Sequence, residues 1–329
     1  MADTVFNYRT LTAGINKMRT VKTPVLDKVF GRKKRQLSSM FKWDIKSNAE
    51  RILKNIKVSA PAQVQDKTGR KTVTCEAPRY APKRFIATGD LDAMRAYGSE
   101  APELMKERVA EEQSDMKEDV DRTREFQAVE AIKGTVVDEE GNVIVSYNFS
   151  AEQMPVLAGI ELWTDPASNP VKKIRGWKKW ISHRVTVDKF IAFCGSGAMD
   201  ALIDNPKALE LLKYNAGKQI AEEGRIASLA AVDIEEYFGT YKNAAEDIIE
   251  MIPDDAFILI GLSAKAAAEL FAPIADSKAA GGIGNGKPGQ VFASKAWDEE
   301  DPDGKWIKAE SRPLPVLFMP ECVVYARVI

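Results

Sequence analysis

Charge is segregated along this chain, and the segregation limits what its front portion can pack against. Residues 1–84 carry 20 Lys and Arg against 6 Asp and Glu, a net of +14, while the remaining residues carry 27 against 42, a net of −15. A front portion of this kind cannot satisfy itself. Three readings are open: it binds nucleic acid through phosphate contacts, it lies across the acidic body of a neighbouring copy, which complementary fields favour, or it is a solvated basic face. The near-zero total charge of −1 hides this division.

The hydrophobic pattern divides the chain further. Thr23-Pro24-Val25-Leu26-Asp27-Lys28-Val29-Phe30-Gly31 reads as a short helix with Thr23 as cap, Pro24 at the first helical position and Gly31 as stop. Arg32, Lys33, Lys34 and Arg35 follow as a basic cluster. From Met40 to Thr88 apolar residues alternate with polar ones: Phe41, Trp43 and Ile45, then Ile56 and Val58, then Val73 and Cys75, closing with Phe85 and Ile86. Alternation predicts extended strands. Asp66-Lys67-Thr68-Gly69 reads as a turn between two of them, and Pro61, Pro78 and Pro82 suit edges and bends. Ser47-Asn48-Ala49-Glu50 could equally be a capping box opening a short helix. A two-stranded excursion with so little apolar surface is marginal alone in water and needs a partner, expected to be another subunit.

Pro102 to Lys133 is the clearest helix. Glu100, Glu103 and Glu107 load its start with negative charge, which suits the helix dipole. Met105, Val109, Met116 and Val120 recur at helical spacing, and Phe126, Val129 and Ile132 continue the stripe with a shift. Such a helix spans roughly 45 Å. Thr135 to Val145 then reads as a hairpin turning at Glu140-Gly141-Asn142. Beyond Asn169-Pro170 the pattern predicts a helix through Trp177 and Trp180, a strand Phe190 to Cys194, helices through Leu202 and from Ala208 to Tyr214, and strands near Ile226 to Val232, Ile234 to Tyr241 and Ala256 to Gly261. It further predicts a helix around Ala264 to Phe271 and closing strands Val316 to Met319 and Val323 to Val328. Helices and strands mix without regular alternation, which is the α+β class.

Several motifs invite a chemical reading, and each has a plainer one. Gly281-Gly282-Ile283-Gly284-Asn285-Gly286-Lys287 matches the spacing of a phosphate-binding loop, but Pro288 stands where that loop needs Ser or Thr to hold magnesium. Proline also obstructs the helix that should follow, so a flexible glycine loop is the better reading. Phe193-Cys194-Gly195-Ser196-Gly197 resembles a nucleophile on a sharp turn, yet only His183 could act as its base, and a buried structural cysteine fits the pattern better. The three cysteines, Cys75, Cys194 and Cys322, form no C-x-x-C pair, and a single histidine excludes a two-histidine metal site. Asp115, Glu118 and Asp119 share their face with Lys117, Arg122 and Arg124, which reads as a solvated face or one opposing a basic neighbour. No apolar run approaches the roughly 20 residues that a membrane helix needs, and Met1 to Met18 lacks a signal-peptide core. Synthesis and assembly in a cytoplasm are expected, with no catalytic residues, cofactor or metal.

The order of these elements resembles the Hong Kong 97-type capsid fold, and more narrowly the lambda-type major capsid proteins, the gene product E family. Tyr237-Phe238-Gly239-Thr240-Tyr241 followed by Ile252-Pro253-Asp254-Asp255-Ala256-Phe257-Ile258-Leu259 resembles that family's Y-x-G-x-Y and P-D-(N/D)-x-x-V-L run. Pro24 to Phe30 resembles its N-terminal helix, Phe126-Gln127-Ala128-Val129 continuing to Lys133-Gly134 the end of its spine helix, and Arg312-Pro313-Leu314-Pro315-Val316-Leu317 its C-terminus. The likeness covers essentially the whole chain at low identity.

The resemblance implies a parts list: an N-terminal arm at 1–37, an extended loop (a β-hairpin) at 38–89, a peripheral domain with the spine helix at 90–163, an axial domain at 164–289, and return strands to the peripheral domain at 290–329. It implies a major capsid protein that assembles into pentamers and hexamers, forming an icosahedral head around double-stranded DNA held without sequence preference. Portal and decoration proteins are further implied partners, as is a separate scaffolding protein, and no membrane is. Candidate inter-subunit residues are Phe30, Arg32, Lys33, Lys34, Arg35, Phe41, Trp43, Lys67, Arg70 and Lys71 on the front portion and Glu111, Glu112, Asp115, Glu118 and Asp119 on the long helix. Rival readings are an encapsulin-type compartment, which a gene neighbourhood with portal and terminase would exclude, a soluble nucleic-acid-binding module, and a nucleotide-hydrolysing enzyme resting on Gly281 to Lys287.

Overall fold

The computed structural model describes residues 6–18, 21–46, 70–89, 105–215, 225–243 and 246–329. The expected turn at Asp66 to Gly69, the alternative helix start at Ser47 to Glu50, and Ile56, Val58, Pro61 and Lys67 lie outside these residues. In chain order the front elements are α1 (Tyr8–Lys17), α2 (Pro24–Val29), β1 (Lys33–Arg35), β2 (Met40–Lys46), β3 (Arg70–Glu76), β4 (Lys83–Ala87), α3 (Met105–Lys133), β5 (Thr135–Val137) and β6 (Val143–Ser146). There follow α4 (Pro170–Ser182), β7 (Lys189–Cys194), α5 (Ser196–Asp204), α6 (Pro206–Asn215), β8 (Arg225–Leu229), β9 (Val232–Glu236), β10 (Thr240–Lys242), β11 (Ile248–Glu250) and β12 (Ala256–Leu262). The chain ends with β13 (Ala267–Phe271), β14 (Ala293–Glu300), β15 (Asp303–Glu310), β16 (Pro313–Leu317) and β17 (Val323–Arg327).

Two units divide the chain: one from Met1–Phe41, Thr74–Ala128 and Ala268–Val316, the other from Lys42–Val73, Val129–Ala267 and Leu317–Ile329. In the first unit, the apolar stripe of α3 packs as its spacing requires. Val109, Met116 and Val120 join Leu11 and Ile15 of α1 with Ile86, Phe292, Ile307 and Ala309 in one core. Leu11 and Ile15 are i and i+4, so α1 presents one apolar edge. At 29 residues, α3 is roughly 44 Å long. Two three-stranded sheets complete this unit, in the orders β1-β13-β16 and β14-β15-β4. The β14–β15 ladder runs eight residues without interruption, from Ala293 opposite Glu310 to Glu300 opposite Asp303.

The segment read as a helix around Ala264 to Phe271 is instead strand β13. Its alanines favour a helix locally, but all five residues of β13 are buried, and β1 and β16 flank it on both edges. Tertiary pairing overrides local propensity here. The expected strands Ile226 to Val232 and Ile234 to Tyr241 are also cut differently. Ala230 and Ala231 turn the chain between β8 and β9 with φ of 52° and 56°, and β9 stops at Glu236 before β10 begins.

The second unit is built on a five-stranded sheet in the order β17-β12-β7-β9-β8. β12 sits inside it, antiparallel to β17 and β7, and its Ile258, Leu259 and Ile260 are fully buried. A near-continuous apolar strand belongs at such a position. Ile174 and Ile181 of α4, Leu202 of α5 and Leu212 of α6 pack into the same core. Trp163 meets Phe257 edge-on at 4.9 Å between centroids. Gly195 lets β7 pass into α5, because a Cβ there would lie 2.3 Å from the Pro253 carbonyl oxygen.

Candidate assembly interface

Several contacts fasten the front portion to its own chain, and three of them hold the segment from Met18 to Arg35. Glu125 on α3 is buried and accepts the backbone N–H groups of Val25 at 2.9 Å and Leu26 at 3.0 Å. Its carboxylate therefore caps the first turn of α2, where negative charge is favoured. The cap expected from Thr23 is not made, and that hydroxyl instead donates to Asp27 at 3.2 Å. Lys117 reaches back to the Met18 carbonyl at 2.5 Å, and burial lowers its ammonium below the ordinary lysine value. β1 lies parallel to β13, with Lys33 opposite Glu269 and Arg35 opposite Phe271.

These anchors alter the expectation for the apolar candidates. Phe41 and Trp43 were expected to stand free on a lone copy and to be covered by a neighbour. Within the single chain Phe41 is 1% and Trp43 5% exposed, and Phe30 is 0% exposed. Their apolar surface is already removed from water, so a neighbour gains little by covering it.

Part of the basic front is also neutralised internally. Arg84 places Nη1 2.6 Å from Glu112 and 3.3 Å from Asp115, and Nη2 3.1 Å from Asp119. These carboxylates stand at i, i+3 and i+7 on α3, one stripe of the helix. The hydrogen bond to Glu112, above all, raises the guanidinium above its ordinary value. Arg108 holds the other side of Glu112 at 2.5 Å and Glu111 at 2.9 Å. Arg79 grips the buried Glu310 at 3.0 Å. The acidic face of α3 thus opposes a basic neighbour that belongs to the same chain. The remaining candidates keep water contact: Arg32, Lys33, Arg35, Lys71, Glu111, Asp115, Glu118 and Asp119 are exposed and Lys34 is half-buried. Arg70 lies in β3, its side chain outside the described residues, as is Lys67.

Lys117 and Arg124, read from the sequence as part of a solvated or neighbour-facing charged face, are buried within the chain, and Arg124 belongs to an ionic cluster. Arg124 on α3 donates from Nε to Glu269 at 2.7 Å and from Nη2 at 2.8 Å, and from Nη1 to Asp121 at 2.5 Å. All three side chains are almost fully enclosed. Burial raises the Asp121 carboxyl despite Arg124 beside it. The only sequence signal was position, since Asp121 and Arg124 follow Val120 in the helical stripe.

The tempting chemical motifs lose their geometry. Pro288 is followed by coil and then β14, not by a helix, so Gly281 to Lys287 lacks the strand-loop-helix frame of a phosphate loop. The loop is closed by its own bonds, with Asn285 donating to the Ser277 carbonyl at 2.8 Å and the Ala279 carbonyl at 2.5 Å. Cys194 is fully buried, donates to the Glu235 carbonyl at 3.7 Å, and has its thiol pushed well up by burial. A nucleophilic cysteine needs the opposite shift. Among the described residues no group of His, Cys, Asp and Glu is placed to hold a metal ion, and no helix is long and apolar enough to cross a membrane.

No curated protein sequence matches the chain. Among solved structures, it is similar to a prophage capsid protein from Escherichia coli CFT073, at a TM-score of 0.67 and 16% identity over 98% of this chain and 99% of that one. It is also similar to a phage-related protein from Bordetella bronchiseptica RB50, at 0.61 and 13% over 97% and 96%. The mature capsid of bacteriophage PhiM1 matches at 0.54 and 11% over 90% and 83%. These likenesses establish the fold as the Hong Kong 97-type capsid fold. The sequence profile of the phage major capsid protein E family matches residues 7–328. A shell-forming fold and a family match that runs from residue 7 to residue 328 agree, and the chain belongs to the phage major capsid protein E family.

Proposed function

We propose that copies of this chain close into five- and six-membered rings that tile an icosahedral phage head around double-stranded DNA. The observation that carries this is the family match from residue 7 to residue 328, because it covers arm, helix and both units at once. Head-to-tail contacts whose rotation closes produce such rings. In this reading 1–37 is the arm, 38–89 the extended loop, 90–163 with 290–329 the peripheral domain, and 164–289 the axial domain. The exposed Arg32, Lys33, Arg35 and Lys71 meet acidic surface of a neighbouring copy, which contributes register and salt sensitivity more than raw affinity. Phe30, Phe41 and Trp43 support that contact from inside the protomer. The role is structural, not catalytic. Assembly takes place in the host cytoplasm with a scaffolding protein and a portal, and decoration proteins are candidate partners of the finished shell.

The test is sedimentation with negative-stain microscopy of the purified chain at low and high salt. Closed shells that form less readily as salt rises support the reading. A chain that stays monomeric under all conditions, when co-expressed with its scaffolding protein as well as alone, refutes it.

A further inference from the structure

Two exposed faces of the second unit carry opposite charge. α4 buries Ile174 and Ile181 and half-buries Trp177 and Trp180. Its outward face carries Lys172, Arg175, Gly176 and Lys179, all exposed, at i, i+3, i+4 and i+7, which is one stripe. Lys172, Arg175 and Lys179 form no ion pair among the described residues. Gly176 is the odd member. A glycine inside a helix weakens it, yet a Cβ at 176 would meet nothing within 4 Å. No close approach within the chain requires this glycine, and it leaves a notch between three cations.

The other face is the β10–β11 hairpin. Phe238, just before β10, is 70% exposed and Ile248 is 72% exposed. The register sets Thr240 opposite Glu250 and Lys242 opposite Ile248, so Ile248 and Glu250 share a face. Glu246, Asp247 and Glu250 are exposed around them. Phe238 does not dangle. Tyr237 is buried and donates its hydroxyl to Met251 Sδ at 3.2 Å, Met251 N–H donates to the Gly239 carbonyl at 2.9 Å, and the Tyr237 ring sits where a Cβ on Gly239 would lie, 2.4 Å away. The turn is locked on both sides of an outward aromatic ring. A pre-set aromatic anchor loses little freedom on binding.

We infer that the β10–β11 hairpin of one copy docks on the α4 face of the next, with Phe238 over the Gly176 notch and Glu246, Asp247 and Glu250 against Lys172, Arg175 and Lys179. Glu246, Asp247 and Glu250 outnumber the exposed Lys242 that stands opposite Ile248, and three cations surround Gly176 on α4, a pairing of opposite charge that selects a partner and its register. The two faces are different surfaces, so the contact is head to tail and propagates around a ring. This inference rests on the shell reading and names the contact that closes each ring.

The experiment compares shell yield on density gradients, with folding checked by circular dichroism. The set is wild type, Lys172→Glu/Arg175→Glu/Lys179→Glu, Glu246→Lys/Asp247→Lys/Glu250→Lys, and the two triples combined. Each triple alone lowers yield at least about tenfold through like-charge contact, and the combination restores it. Gly176→Gln raises the melting temperature of the unassembled chain by about 1 °C through helix propensity and still lowers shell yield, which separates docking from folding. One-sided reversals that assemble like wild type, or a combination no better than either, overturn the contact. An α4 triple with normal shell yield but less retained nucleic acid also overturns it, in favour of a nucleic-acid face. A wild-type chain that forms no shells overturns the shell reading itself.

Discussion

Replacing Glu269 with alanine tests whether the first unit depends on an enclosed ion pair. Glu269 is 0% exposed on β13, and Arg124, 3% exposed on α3, donates to it twice at 2.7 and 2.8 Å. Removing it leaves the guanidinium with Asp121 alone. Breaking a buried pair from one side costs about 3–5 kcal/mol, and the surviving Asp121 contact places the loss near the lower end, about 3 kcal/mol. Arg84→Met provides the contrast. Arg84 touches three carboxylates but is 37% exposed, so solvent screening holds its loss to about 1 kcal/mol or less. Urea unfolding of the unassembled chain, followed by circular dichroism, measures both. Arg124→Met combined with Glu269→Leu recovers much of the loss, because no unpaired guanidinium remains and Asp121, its carboxyl already raised by burial, can take up a proton. If Glu269→Ala costs no more than Arg84→Met, Arg124 is solvated and the buried-pair reasoning fails.

Other outcomes follow from single sites. Burial alone would raise the Glu310 carboxyl, but Arg79, Lys308 and the Ala275 N–H outweigh it and hold it below the ordinary 4.5. A depressed carboxyl stabilises the fold above its unfolded value and loses that contribution as pH falls through its folded value. Glu310→Gln should therefore be less stable than wild type at pH 7, with the gap closing below pH 4.5, and a gap independent of pH would refute this. Ala231→Gly relieves a left-handed turn residue at φ 56° and should stabilise by about 0.5–1 kcal/mol in thermal melts; a loss would contradict the turn assignment. Cys194 and Cys322 are buried with thiols pushed up, Cys322 to about 12, so iodoacetamide should modify them only after denaturation, as read by mass spectrometry.

Elements with a periodic apolar face were legible in the sequence, and elements held by distant partners were not. The stripe of α3 and the Trp177 helix follow from spacing, because each buries a face against a core. β13 misleads because its alanines carry no strand signal and its burial depends on β1 and β16. α1 went unseen for want of apolar residues beyond Leu11 and Ile15. β14 and β15 carry no apolar period of their own, since Trp297-Asp298-Glu299-Glu300 and Asp301 to Lys305 are dominated by charge, and only the resemblance implied strands at 290–329. In the candidate interface, the segregation of charge was visible but not its destination. Nothing near Arg84 announces Glu112, and nothing near Glu125 announces the helix it caps. Charge in a sequence reads as solvated by default, and only the fold shows which charges are enclosed. The family was legible because it lies in the order and spacing of whole elements, which survive when individual residues do not.

Electron cryo-microscopy of the particles formed by the purified chain is the most direct test. The expected reconstruction is a closed shell of five- and six-membered rings in which Arg32, Lys33 and Arg35 of one copy lie beside carboxylates of another. Isolated chains, or open aggregates in which those residues contact only their own protomer, would contradict it.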